Sequence, residues 1–168
     1  VGTFEYAYSN SNFEEVKKLA DYTINRHYSD LIDEEDKYYK FLIRVIDKQA
    51  FLIAKWQSVG FIHGVMNTDN VLISGETIDY GPCAFMDEYN SKTVFSSIDK
   101  QGRYAYINQP YMGSWNLARF TETLLPLLDK DKEKAIEIGN KALSVFEEKF
   151  NKYWLKNMAA KIGLKDFS

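Results

Sequence analysis

The chain has 168 residues, 45% of them hydrophobic and 27% charged, which is enough apolar material for one domain with a real core and too much for global disorder. A net charge of −3, from 21 Lys and Arg against 24 Asp and Glu, argues against a general nucleic-acid binder. The single cysteine, Cys83, excludes an intramolecular disulfide and suits a reducing compartment.

No apolar run is long enough to span a bilayer; the stretch Ala50 to Ile53 is flanked by Lys48 and Lys55. No signal peptide is visible at the start; the simplest expectation is a bacterial cytoplasmic protein, with no membrane partner and, from its charge, no nucleic-acid partner. The first residue is Val1, not Met, which points to a processed chain or a piece of a longer one.

In chain order, Phe13, Val16, Ala20, Ile24 and His27 recur at gaps of three and four and predict a helix, with Asn10, Ser11 and Asn12 as N-cap candidates. His27 reads as a core or capping histidine. A longer helix is predicted from about Asp33, with Tyr38, Phe41, Val45, Leu52 and Trp56 as its stripe and Gly60 as its stop. Residues 61–81 break into short apolar pieces. Val71-Leu72-Ile73, the turn Ser74-Gly75-Glu76 and Thr77-Ile78-Asp79 predict a small β-hairpin.

Residues 82–114 show no sustained period and predict a long ordered loop, a feature that often carries function. Ser114 is the expected cap of a helix through Trp115, Leu117, Phe120 and Leu124, bent or ended by Pro126. The last helix, residues 132–162, is expected to face Ile136, Leu143, Phe146, Phe150, Tyr153 and Trp154 inward. The predicted architecture is mainly α with a small β-hairpin.

The informative stretch is His63-Gly64-Val65-Met66-Asn67-Thr68-Asp69-Asn70 followed by Asp79-Tyr80-Gly81. Protein kinases use H-R-D-x-x-x-x-N and then D-F-G, where the Asn and the second Asp hold Mg²⁺ against the nucleotide phosphates. Counted from His63, the Asn falls on Asn70, whereas the position of the kinase base holds Val65. An amide oxygen and a carboxylate at the ends of a hairpin can converge on a hard cation. Tyr80 is expected to anchor the second loop in the core, and Gly81 to permit an unusual turn. Together these features predict a protein-kinase-like C-terminal lobe with residues 61–81 as catalytic loop, hairpin and metal motif. With two His and one Cys, zinc is not expected.

Gly64-Val65-Met66-Asn67-Thr68-Asp69-Asn70, Thr77-Ile78-Asp79-Tyr80-Gly81-Pro82, Gln101-Gly102-Arg103-Tyr104, Asn108-Gln109-Pro110 and Trp115-Asn116-Leu117-Ala118-Arg119 resemble the selenoprotein O family, as does the opening Val1-Gly2-Thr3-Phe4. The likeness covers most of residues 1–128 and fades in the last helix. It implies a pseudokinase-like fold that binds ATP in a flipped pose and transfers AMP to Ser, Thr or Tyr hydroxyls of protein substrates.

Carried over by motif, Asp69 is the proton acceptor, Asn70 a Mg²⁺ ligand, and Asp79 a ligand of both Mg²⁺ and nucleotide, with Mn²⁺ as a possible substitute metal. The family's Gly-rich loop, phosphate-binding Lys, acidic partner of that Lys and C-terminal redox motif have no counterpart here. Its nucleotide-binding arginines are expected just before Val1. The resemblance thus implies that residues 1–168 are one kinase-like lobe from the centre of a longer protein. A phosphotransferase using Asp69 as base and an inactive nucleotide-sensing scaffold stay open as alternatives. Cys83 reads as a small buried thiol, Arg103 as a clamp of the long loop, Arg119 as packing on Trp115, and Tyr38, Tyr39, Tyr104 and Tyr106 as packing residues.

Overall fold

A computed structural model of the chain describes residues 1–10 and 13–164. Among them five α-helices dominate: α1 (Gly2–Asn10), α2 (Phe13–His27), α3 (Lys37–Val59), α4 (Gln109–Leu128) and α5 (Lys132–Lys161). One antiparallel pair joins β1 (Phe61–Ile62) to β2 (Ala84–Phe85), with Phe61 opposite Phe85 and Ile62 opposite Ala84. The protein is mainly helical with a small two-stranded element, as the sequence predicts. No helix among the described residues is long and apolar enough to cross a membrane.

The central element is α3, which packs against both α4 and α5. Free of Gly and Pro, it buries Phe41, Leu42, Val45, Ile46, Gln49, Ala50, Ile53 and Trp56 along one broad face. It ends at Gly60, whose φ of 69° supplies the left-handed cap and whose N–H reaches the Trp56 carbonyl. Its start is Lys37 rather than Asp33, because residues 29–36 form a 3₁₀ turn and further turns. Beneath α3 lies an aromatic cluster: Phe41 packs with Phe4, Tyr28 and Phe120, and Phe4 with Phe120.

Helix α1 precedes the predicted helical segment; it buries only Phe4 fully, too little for a readable stripe. Asn10 is its last residue and not a cap of α2, and Ser11 and Asn12 lie outside the described residues. In α2 the predicted stripe is buried in its middle, at Val16, Ala20 and Ile24, while Phe13 and His27 at its two ends are exposed. Tyr28 takes the buried place expected of His27.

Two further helix expectations are corrected. Helix α4 starts at Gln109 with Pro110 in its first turn, where a missing N–H costs nothing, so Ser114 is interior and not a cap. Pro126 stands inside the helix, which continues to Leu128. In α5 Phe146 is buried and Leu143, Phe150 and Tyr153 pack against the core as expected, whereas Ile136 is 39% exposed and the small residues Ala135, Gly139, Ala142 and Ala159 are also buried. Small residues let α5 approach closely. A Cβ on Gly139 would lie 2.9 Å from Thr121 Cγ2, and one on Gly113 in α4 would lie 2.2 Å from Ile53 Cδ1. The expected large residues pack here beside small ones that the sequence pattern did not bring out. Asp47 adds a polar tie, accepting from Lys149 at 2.7 Å and from the Tyr153 hydroxyl at 2.8 Å. Burial raises its pKa, but those two bonds outweigh burial and hold the carboxyl below its usual range.

The predicted hairpin at 71–79 contracts to a single bridge, Val71 to Thr77, closed by the Gly75 N–H on the Leu72 carbonyl at 3.1 Å. The carbonyls that a ladder needs are taken by groups from elsewhere in the helical core. Val71 O receives the Val1 backbone nitrogen, Leu72 O receives Gln49 Nε2 and Ile73 O receives the Tyr28 hydroxyl, each at 2.6 Å. The strand-like segment is thus fastened to the helical core instead of to a partner strand.

Candidate active site

The loop after β1 is organised by His63, which is fully buried. Its Nδ1 accepts the Val65 N–H at 3.3 Å, so Nε2 carries the proton and donates to the Ile78 carbonyl at 2.8 Å. One side chain thereby fixes the loop before Asn70 to the segment before Asp79. Trp56 packs beside the imidazole at 5.4 Å and donates its indole N–H to Thr77 Oγ1 at 3.1 Å. The backbone N–H of His63 meets Gln109 Oε1, and Gln109 Nε2 meets the Phe61 carbonyl, both at 2.9 Å.

Burial pushes the His63 pKa below its ordinary value of about 6.5, against the opposing pull of the Ile78 carbonyl and Asp79. The unfolded chain then binds a proton near pH 6 that the native state does not. Stability is therefore expected to fall as pH drops from 7 to 5.5. A His63→Asn variant is expected to be less stable at pH 7 but to lose less over that range. Urea melts at both pH values check this; parallel losses in the two proteins would refute it.

Asn70 closes a 3₁₀ turn, Thr68–Asn70. Its Nδ2 donates to the Val65 carbonyl at 2.9 Å, which leaves Oδ1 as its free acceptor. Val65, standing where a kinase keeps its base, here contributes its backbone to hold Asn70. Asn116, fully buried in α4, donates to the Met66 carbonyl at 2.8 Å and the Met112 carbonyl at 2.9 Å, tying the loop to the core. Sequence reasoning did not single out Gln109 or Asn116. Their signal is two amides seven residues apart on an otherwise apolar helix face.

Asp69 and Asp79 are both exposed. Asn70 immediately precedes the Val71–Thr77 bridge and Asp79 follows it by two residues, so both flank one fastened loop. Asp79 has a φ of 57°, a left-handed conformation that Asp adopts more readily than most residues. The unusual backbone is therefore at Asp79, not at Gly81. Tyr80 is 65% exposed and does not anchor the loop in the core. Pro82, half-buried, lies against Gly64 instead: a Cβ on Gly64, whose φ is 86°, would lie 3.1 Å from Pro82 Cγ. Cys83 is only partly buried and donates its S–H to the Tyr80 carbonyl at 3.4 Å.

Asn70 Oδ1 and the Asp79 carboxylate are hard oxygen donors, and among the described residues no group of three or more His, Cys, Asp or Glu is placed to hold a metal. Two such donors are too few for an all-protein cage, and their hardness would fit Mg²⁺ or Mn²⁺ completed by other oxygen ligands.

The long loop is ordered from within. Asp99 accepts from the N–H groups of Arg103 and Tyr104, Asn108 Nδ2 from its side donates to the Gly102 carbonyl, and Gln57 and Tyr106 bond each other through side chain and backbone. Asp99 thus clamps the turn through its carboxylate. Arg103 does not clamp it by side-chain hydrogen bonds but stacks 4.8 Å from the Trp115 ring, with Arg119 at 5.7 Å from that ring. Tyr38 and Tyr106 are half-buried and hydrogen-bonded, to Asp21 and to Gln57.

With this geometry in view, comparison with known proteins is decisive. The profile described as "Protein adenylyltransferase SelO" matches residues 1–168. The chain belongs to the SelO family. Its SelO relatives include the protein nucleotidyltransferase YdiU of Clostridium perfringens strain 13, 61% identical over 164 residues that make 98% of this chain and 34% of the relative. YdiU of Geobacillus kaustophilus is 58% identical over 166 residues, 99% of this chain and 34% of its own length. YdiU of Bacillus cytotoxicus is 61% identical over 98% of this chain and 33% of its own. The chain spans about a third of the length of these SelO relatives.

Proposed function

We propose that the full-length protein is an adenylyltransferase that moves AMP from ATP to Ser, Thr or Tyr hydroxyls of protein substrates, and that this chain is its kinase-like C-terminal lobe. Family membership and the relatives' description as protein nucleotidyltransferases support a nucleotidyl transfer. The observation that carries the residue assignment is the bond from Asn70 Nδ2 to the Val65 carbonyl. It engages the amide nitrogen and leaves Oδ1 to serve a cation; because Val65 puts no carboxylate at the usual kinase position, the neighbouring exposed Asp69 would take the base's role.

In the proposed reaction the substrate hydroxyl oxygen attacks the α-phosphorus. The bond to the bridging oxygen breaks, pyrophosphate leaves, and the hydroxyl proton passes to the Asp69 carboxylate. Asn70 and Asp79 would hold Mg²⁺, which when bound neutralises phosphate charge. Asp79 also orients the nucleotide, and its fixed backbone limits the freedom lost on binding. The proposed use of ATP is compatible with the expected bacterial cytoplasmic location.

Incubating the full-length protein and a protein substrate with ATP labelled at the α- or the γ-phosphate tests the reading. Label on protein from the α position is expected. Label from the γ position would make the protein a kinase, and label from neither a scaffold.

A further inference from the structure

The geometry points to Gly2 as a positioning residue for Asp69, a role that rests on the reading of Asp69 as proton acceptor. Gly2 is the first residue of α1, and its φ is not in the left-handed region, so its backbone conformation does not require glycine. What requires glycine is space. A Cβ there would lie 2.2 Å from Asp69 Oδ1, 3.3 Å from Asp69 Cγ and 3.2 Å from Asp69 Cα. Rotating the carboxylate relieves the first two contacts but not the third, which involves backbone.

Neither side of this contact can easily retreat. The start of α1 is fixed by buried Val1 and Phe4, by the Phe4 N–H on the Val1 carbonyl at 2.8 Å, and by the Val1 nitrogen on Val71 O. The Asp69 loop is fixed by the Asn70–Val65 bond and by the Asn70 N–H on the Asn67 carbonyl at 3.0 Å. A side chain at position 2 therefore displaces the Asp69 carboxylate, the least restrained group present, from the place where a substrate hydroxyl must meet it. Gly2 sets that place by letting a helix end rest directly against the acid.

The test uses the full-length protein with Gly2→Ala, Asp69→Ala and the double variant, measuring thermal midpoint, nucleotide affinity and kcat. Gly2→Ala is expected to stay folded and to bind Mg·ATP within about twofold of the parent, but to lose at least about tenfold in kcat. In the Asp69→Ala background the same substitution is expected to cost no further activity, because the group it displaces is gone. Gly139→Ala, which crowds Thr121 in the helical interface, serves as control: lower thermal midpoint, unchanged kcat. If Asp69→Ala keeps full activity, the reading of Asp69 fails. If Asp69→Ala is impaired while Gly2→Ala turns over normally, the Gly2 inference alone fails. Unfolding of Gly2→Ala, or an equal further loss in the Asp69→Ala background, also overturns it, since either makes Gly2 a packing residue only.

Discussion

Asp79→Ala is expected to abolish nucleotidyl transfer by the full-length protein, by at least about a thousandfold or roughly 4 kcal/mol of transition-state stabilisation. Asp69→Ala is expected to lower kcat by about 10²–10⁴-fold while sparing nucleotide affinity. The difference follows from what each carboxylate is proposed to touch. Asp79 supplies an oxygen to the metal and organises the phosphates, so its loss affects the ground state and the transition state together. Asp69 receives a proton only as the hydroxyl attacks, so its contribution is confined to the transition state. The left-handed backbone of Asp79 complicates the alanine result, because Ala at φ 57° also adds strain of about 1–2 kcal/mol. Asp79→Asn separates the two, since Asn tolerates that conformation and loses only the charge. Steady-state kinetics with calorimetric titration of Mg·ATP provide the check. Equal loss of ATP affinity in the Asp69 and Asp79 variants would contradict the division of roles.

How far the sequence led differs between elements, for physical reasons. Helix α3 was readable almost to its ends because a broad apolar face, no helix breaker and a terminal glycine all agree. The 71–79 hairpin was over-read. Its β-branched residues favour extended backbone, but pairing also depends on who takes the carbonyls, and Gln49 and Tyr28 are far away in sequence. The spacing of Asn70 and Asp79 was readable in the sequence, and the structure sets them on either side of the Val71–Thr77 bridge. The amides that hold the loop after β1, Gln109 and Asn116, were not legible, because a polar residue on an apolar face announces itself only when its partner is known. Tyr80 illustrates the converse error: an aromatic residue in a metal motif was assigned to the core, whereas the half-buried Pro82 beside it makes the contact with Gly64. The small-residue line of α5 escaped a search for large apolar residues altogether.

Phe41→Ala is expected to be the most damaging of the single core truncations, costing about 3–5 kcal/mol of folding stability. Phe41 is fully buried on α3, and its ring meets Tyr28 at 5.3 Å and Phe120 at 5.6 Å in edge-on geometry and Phe4 at 6.2 Å. Those partners come from α1, from the segment after α2 and from α4, so the truncation loosens four parts of the chain at once. They cannot all collapse into the space, because Phe4 and Phe120 are already edge-on at 5.0 Å and the Tyr28 hydroxyl is bonded to Ile73 O. A loss of that size is a large share of the 5–15 kcal/mol that holds a typical domain. Phe41→Leu retains most of the volume and is expected to cost roughly 1–1.5 kcal/mol. Tyr80→Ala, at an exposed ring beside the metal motif, is expected to change stability by less than about 0.5 kcal/mol. Denaturant melts of the three variants test the ranking. A Phe41→Ala protein as stable as the Tyr80→Ala protein would mean that the cluster does not hold these helices together. The same cluster seats Phe4, and Phe4 seats the start of α1 against Asp69. Phe41→Ala is therefore expected to lower kcat even at temperatures where the protein remains folded.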